Sequence, residues 1–115
     1  DVNIVAGVEL GGVPLATAVS LETELPLLIV RKSVKEYGTK SRFVGDLKPE
    51  DRLVMLEDVT TSGGSVRNAI EVVRETGASV TYVITVVDRE EGAGEKLKEA
   101  DIQLVPLVSA SDLLK

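Results

Sequence analysis

The sequence predicts an α/β fold in which a mostly parallel sheet is flanked by helices. Short apolar strands alternate with helical patterns along the 115 residues, which is typical of βαβ units. The strand at Leu53–Leu56 has no polar alternation, as expected of a strand buried on both faces of a parallel sheet. Hydrophobic residues make up 43% of the chain and aromatic residues only 3%, which indicates an aliphatic core.

The first elements are a strand, a helix and a second strand. Val2–Ala6 is predicted to be the first strand, and Gly7–Gly12 a loop. Pro14 suits the first turn of a helix. The i, i+3, i+4 spacing of one buried face is shown by Leu15, Ala18 and Val19. Pro26 then ends the connection before a second strand at Leu27–Val30.

The second half of the chain repeats this pattern. After the strand at Leu53–Leu56, one buried helical face is predicted from Val66, Ala69, Ile70 and Val73, and Gly77 suits a position beyond the helix end. The remaining predicted elements are a strand at Ser79–Val87, a polar helix at Glu91–Ala100, a strand at Ile102–Val105, and a short terminal helix with a capping box from Ser109 to Asp112.

Composition narrows the possible functions. The length predicts one domain over residues 1–115, and the abrupt start at Asp1, just before a core strand, suggests a missing N-terminal segment.

The chain has no cysteine or histidine, which excludes disulfides, Cys/His zinc sites and Ser-His-Asp chemistry. A net charge of −6 argues against general nucleic-acid binding. With no signal sequence or membrane-length apolar run, we expect a cytoplasmic protein without a membrane partner.

The segment from Val54 to Ser65, VMLEDVTTSGGS, carries the strongest functional signal. Two acids, Glu57 and Asp58, follow the apolar strand and can accept hydrogen bonds from vicinal sugar hydroxyls. All six residues of Thr60–Ser65 are hydroxyl residues or glycine, far more than an ordinary helix cap needs. Backbone N–H groups of the following helix would complete an anion cradle. The pattern predicts a sugar-phosphate site.

This segment resembles the phosphoribosyl pyrophosphate (PRPP) signature of the type I phosphoribosyltransferases, which implies their Rossmann-like core. On that resemblance Glu57 and Asp58 bind the ribose hydroxyls and act in catalysis, and the loop binds the 5′-phosphate. Ser62 stands where many members have threonine and keeps the hydroxyl. The PRPP-binding residues implied in this stretch are Glu57, Asp58, Val59, Thr60, Thr61, Ser62, Gly63, Gly64 and Ser65.

Positive charge is concentrated in Arg31–Lys48, which has six cations and two acids, while the rest of the chain carries a net −10. Such asymmetry suits a polyanionic ligand. Glycines and serines make the segment easy to bend, which predicts a mobile loop over about residues 32–44. A solvated loop, or a β-hairpin with lysines along its edges, is the alternative interpretation.

The stretch RKSVKEYGTKSRFVG is similar to the catalytic loop of orotate phosphoribosyltransferases. This resemblance implies that Arg31, Lys32 and Lys35 hold pyrophosphate oxygens and that Lys35 neutralises charge on the leaving group. Tyr37 occupies a position that is histidine in many bacterial members, and it can donate a hydrogen bond there. In the dimers of this family the loop reaches the neighbouring site, which implies a homodimer.

Two further motifs follow the first and fourth predicted strands of the sheet. GVELGG has the spacing of neither a dinucleotide fingerprint nor a Walker A loop. The resemblance implies that Glu9, Leu10, Gly11 and Gly12 form a pyrophosphate loop. The alternative interpretation is a plain glycine-rich turn. Arg89 can bind a planar carboxylate in bidentate fashion, or form a surface salt bridge with Asp88 or Glu90. The resemblance implies that Arg89 and Thr61 bind orotate.

Together these motifs imply a magnesium-dependent orotate phosphoribosyltransferase of pyrimidine biosynthesis. It would transfer the phosphoribosyl group of PRPP to orotate, with Mg²⁺ held mainly through PRPP and water and no direct protein ligand assigned. The alternative is a non-catalytic core fragment or regulator that binds PRPP or nucleotide, because the family's N-terminal hood segment is not recognisable. A receiver domain phosphorylated at Asp58 is disfavoured, since Gly7 and Val8 stand where it needs acids.

Overall fold

The computed structural model describes residues 1–32 and 42–113. Within those ranges the chain forms a six-stranded sheet in the order β3-β2-β1-β4-β5-β6, parallel except for β3. The strands are β1 (Ile4–Val8), β2 (Leu27–Val30), β3 (Phe43–Val44), β4 (Arg52–Thr60), β5 (Ser79–Asp88) and β6 (Gln103–Ser109). The helices are α1 (Gly12–Thr23), α2 (Gly64–Arg74), α3 (Ala93–Lys98) and α4 (Ala110–Leu113). The predicted α/β fold class is confirmed.

Helices cover both faces of the sheet. On one face α1 packs through Ala16 against Val5 and Leu56. On the other, α2 and α3 bury a larger cluster that includes Ile70 and Leu97. Consecutive strand residues contribute to opposite clusters, as the pleat of a strand requires. The chain order reverses between β1 and β4, and such a switch point opens a crevice at the carboxyl ends of these strands.

Several predicted boundaries were wrong. Gly7 and Val8 belong to β1 and not to the following loop. Ala18 is exposed, and the buried residues of α1 are Gly12 and Ala16. The helix predicted over Glu91–Ala100 is only six residues long. Ile102 is buried but precedes β6, which runs on to Ser109.

The strand β4 does not end with its apolar residues. It pairs in parallel with β5 up to Thr60, which lies opposite Asp88. The acids Glu57 and Asp58 are therefore strand residues, although the sequence placed them after the strand. Backbone hydrogen bonding, not side-chain polarity, decides where a paired strand ends.

The two ends of the cationic segment pair with each other. Val30 of β2 lies opposite Phe43 of β3 in an antiparallel pair. Beyond it, the Arg31 N–H donates to the Arg42 carbonyl at 2.8 Å, and the Arg42 Nε donates back to the Arg31 carbonyl. Residues 33–41, which include Lys35 and Tyr37 and most of the predicted mobile loop, lie outside the described residues.

None of the helices within residues 1–32 and 42–113 is both long and apolar enough to cross a bilayer.

Candidate functional site

The signature residues line a cavity of about 210 Å³ at the carboxyl end of β4. Its walls are formed by Glu57, Val59, Thr60, Thr61, Ser62, Gly63, Gly64, Ser65 and Val66. The cavity opens at the N-terminus of the eleven-residue α2, where no side chain caps the helix. Uncapped N–H groups and the positive end of the helix dipole favour an anion at this position.

The glycine at the tip of the loop is required by geometry. Gly63 has φ of 84°, a left-handed conformation that other residues adopt only with strain. A Cβ at this position would also lie 3.2 Å from the Cβ of Ala93 in α3. The loop is therefore held between β4 and α3, and its path depends on glycine.

The two acids lie on opposite sides of β4. Glu57 lines the cavity on the α2 side of the sheet. Asp58 lies on the α1 side, where its Cγ would be 2.6 Å from a Cβ placed on Gly11. Adjacent strand residues point to opposite faces, so the acids flank the strand end. A sugar over that end can be reached by one carboxylate from each side, and the shared ribose role remains a prediction.

Glu57 is half-buried, and its environment disfavours the charged form. Burial and the nearby Asp58 carboxylate raise the pKa of Glu57 from 4.5 to about 7, against a smaller opposing effect of Lys32. The Glu57 carboxyl consequently titrates in the neutral pH range. The charge of the site thus depends on pH in the physiological range.

Glu57→Gln is expected to stabilise the chain at pH 8 and to have little effect at pH 5. Folding raises the Glu57 pKa, so its favourable contribution is present at low pH and is lost as pH rises from about 4.5 through about 7. Glutamine avoids the cost of burying a charge, about 1–2 kcal/mol after allowance for partial exposure.

Thermal unfolding of wild type and variant at both pH values checks this expectation, with a shift of several degrees at pH 8. Glu99→Gln removes the same charge at an exposed position of the turn after α3 and serves as the control. Equal shifts at pH 5 and pH 8 would contradict the assignment of the effect to ionisation of Glu57.

The loop after β1 is packed closely against the sheet. A Cβ on Gly12 would lie 2.6 Å from the Leu56 carbonyl oxygen, and one on Gly11 would overlap the Asp58 carboxylate. Glu9 does not point freely into the crevice, because its Oε1 accepts the Lys32 backbone N–H at 3.1 Å. Leu10 is exposed. The structure thereby brings the predicted pyrophosphate loop beside Asp58 and the predicted cation Lys32.

The backbone of Arg89 is joined to the last residue of β4. Its N–H donates to the Thr60 carbonyl at 2.9 Å, while its exposed side chain places Nε 3.4 Å from Glu91 Oε2. The alternative salt bridge was predicted with Asp88 or Glu90, and the observed partner is Glu91. Asp88 instead accepts the Glu90 N–H, and the Glu90 carboxylate accepts the Ser111 N–H at 2.7 Å.

Thr85 supports the site and was not singled out in the sequence. Its side chain is fully buried, and its hydroxyl donates to the Val87 carbonyl at 3.1 Å and lies 3.5 Å from the Asp58 carbonyl. The sequence signal that could have identified Thr85 is its position as a polar residue within the apolar run of β5. The contact ties the ends of β4 and β5 together beneath the acids.

The open, mostly parallel sheet flanked by helices, with a hydroxyl- and glycine-rich loop and two acids near one strand end, defines the class of this α/β protein. The sequence model of the phosphoribosyl transferase domain family matches residues 2–106, and the chain belongs to this family. The resemblance drawn from the signature is therefore confirmed.

Similar proteins are orotate phosphoribosyltransferases. That of Methanosarcina mazei is 92% identical over 115 residues, which are all of this chain and 62% of the relative. That of Methanosarcina acetivorans is 90% identical over 114 residues, covering 99% of this chain and 61% of the relative. The crystal structure of the Aeropyrum pernix enzyme matches with a TM-score of 0.89 at 39% identity, over 98% of this chain and 63% of that one. The chain thus spans about 62% of the length of these curated relatives.

Proposed function

We propose that the chain forms the core domain of an orotate phosphoribosyltransferase, which joins orotate to the ribose of PRPP and releases pyrophosphate. The observation that carries the proposal is the 210 Å³ cavity, in which Glu57, the hydroxyl-rich loop and the start of α2 converge. The names of the similar proteins favour orotate as the acceptor. A non-catalytic PRPP-binding core is the second candidate.

In this proposal the protein positions the substrates and stabilises charge. Glu57 and Asp58 bind the ribose from the two sides of β4 and face the positive charge that develops on the sugar. Thr60–Ser65 hold the 5′-phosphate, and Arg31, Lys32 and Lys35 bind the diphosphate. No residue with a pKa suited to proton transfer is needed for the departure of pyrophosphate, which fits a chain without histidine.

Magnesium is proposed as the cofactor, held mainly by diphosphate oxygens and water. Among residues 1–32 and 42–113, no group of three or more acidic side chains is arranged to hold a metal ion. When bound, Mg²⁺ would neutralise part of the negative charge of the diphosphate.

We further propose a cytoplasmic homodimer in which residues 32–44 reach the neighbouring site. The hydrogen bond from the Arg31 N–H to the Arg42 carbonyl supports this proposal, because it brings the two described ends of the segment together at the edge of the sheet. Sedimentation of the protein with and without PRPP measures the oligomeric state. A fully active monomer would contradict the shared site.

The activity is tested by mixing the protein with Mg²⁺, orotate and PRPP and following the loss of orotate absorbance. Turnover supports the enzyme, and omission of PRPP is the control. Tight PRPP binding without turnover would support the non-catalytic core instead. Replacing orotate with adenine tests the acceptor, and faster loss of adenine would contradict the orotate assignment.

Arg89→Ala is expected to raise the KM for orotate about 10- to 100-fold and to leave PRPP affinity unchanged, since it removes a charge-assisted contact to the orotate carboxylate. Steady-state kinetics with each substrate varied measures this effect. Glu91→Ala is the matched control: it removes the competing partner of Arg89, so the KM for orotate should stay equal or fall. Equal losses for both substrates in Arg89→Ala would indicate a folding defect.

A further inference from the structure

A lysine from a different helix lies over the phosphate loop. We propose that Lys96 of α3 is a phosphate-binding residue whose ammonium group contacts the 5′-phosphate of the ligand. This assignment rests on the proposed function and adds to the site a residue outside the signature.

The geometry places Lys96 at the start of α2. Its Nζ lies 3.7 Å from the position that a Cβ on Gly64 would occupy, and the Ser62 Oγ lies 3.8 Å from the same point. Gly64 has no side chain, so this point stays open between a hydroxyl and an ammonium group. It also adjoins the uncapped N-terminus of α2. Three donors of different kinds thus converge on one small volume.

The position of Lys96 is fixed by packing. Ala93 is buried and lies against Gly63 of the loop, and Leu97 is fully buried in the core. Lys96 lies between these two anchors on the same short helix. The Lys96 side chain therefore reaches the loop from a helix whose buried face packs against that loop and the core.

Charge explains why the site benefits from this lysine. The residues that line the cavity include the carboxyl of Glu57 but no cation. A phosphate monoester carries about −1.5 to −2 charges at pH 7 and would enter a chain with a net charge of −6. Lys96 is half-buried, and within the described chain its ammonium is in neither of the two observed ion pairs. An ammonium point charge there offsets the repulsion between the phosphate and the negatively charged chain, which hydroxyl and amide groups do not compensate.

Lys96→Met, which keeps the aliphatic stem and removes the charge, is expected to weaken binding of ribose 5-phosphate and of PRPP about 10- to 30-fold. Isothermal titration calorimetry measures both ligands, and orotate serves as the ligand without phosphate, whose affinity should not change. Lys96→Arg should stay within about threefold of wild type, because it keeps the charge.

Lys98→Met is the matched control variant. Lys98 is exposed on the same helix and lines a separate cavity near Asp101 and Gln103, so the same loss of charge there should leave ribose 5-phosphate affinity unchanged. Equal losses in the two variants would show a general field effect and would overturn the contact. Thermal unfolding confirms that each variant remains folded.

The outcomes separate this proposal from the proposed function. If the wild type turns over orotate while Lys96→Met binds ribose 5-phosphate as wild type does, the Lys96 contact is overturned and the function stands. If ribose 5-phosphate binds in a Lys96-dependent way without turnover of orotate and PRPP, the contact stands and the enzyme proposal fails. Absence of wild-type binding to either phosphate ligand would overturn both.

Discussion

Asp58→Asn is expected to weaken PRPP binding by up to about 100-fold. Asp58 is exposed at the end of β4, and its Oδ1 accepts the Val59 N–H at 2.8 Å, which fixes the carboxylate. Hydrogen bonds from ribose hydroxyls to this carboxylate are charge-assisted, and losing one costs about 1.5–3 kcal/mol. Asparagine keeps the shape but removes the charge and one acceptor.

Calorimetric titration with PRPP measures the Asp58→Asn effect. Asp101→Asn is the matched control, because it removes the same charge at an exposed turn that precedes β6, at the opposite end of the parallel strands from Asp58. Asp101 has φ of 60°, a conformation that asparagine tolerates well. Unchanged PRPP affinity in Asp58→Asn would disprove the ribose assignment.

Gly7→Ala is expected to destabilise the chain by about 3 kcal/mol, near the upper end of what overpacking usually costs. Gly7 is buried in β1, and a Cβ there would lie 2.5 Å from the Gly12 carbonyl oxygen and 2.8 Å from the Ala16 Cβ. The colliding atoms are backbone and a helix Cβ, which cannot rotate away. Either α1 moves off the sheet or β1 is distorted.

Urea unfolding at pH 7 measures this loss. Gly94→Ala is the control, because a Cβ on Gly94 meets no atom within 4 Å and the residue lies inside α3. Alanine at such a position should stabilise by about 0.4–1 kcal/mol through the unfolded state. A Gly7→Ala variant as stable as wild type would mean that α1 is packed less closely on the sheet than described.

These glycines show why one motif carried two interpretations. Gly7 and Gly12 permit close packing of α1 on the sheet, as a plain glycine-rich turn would, whereas Gly11 leaves room for the Asp58 carboxylate. The letters GVELGG do not distinguish the two purposes. The distinction follows from which atoms face each Cα, and those atoms come from α1, β4 and the acidic pair.

The sequence by itself determined the α/β class, the residues of β2, the buried face of α2, and the hydroxyl- and glycine-rich loop that lines the cavity. These features depend on local periodicity and on residue types that sit next to one another in the chain. The same local reasoning failed for Ala18, because the face that α1 buries depends on how the helix crosses the sheet.

Only the tertiary structure decided how the site is assembled. It extended β4 through the acids, placed Glu57 and Asp58 on opposite sides of the strand, and paired Arg89 with Glu91. It also brought Lys96 to the loop across 32 residues of sequence from Gly64. Such neighbours are set by parallel strand pairing and helix packing between distant segments, which no pattern within one segment encodes. The signature thus specifies the residues of the loop, while the ammonium group beside Gly64 is supplied by the fold.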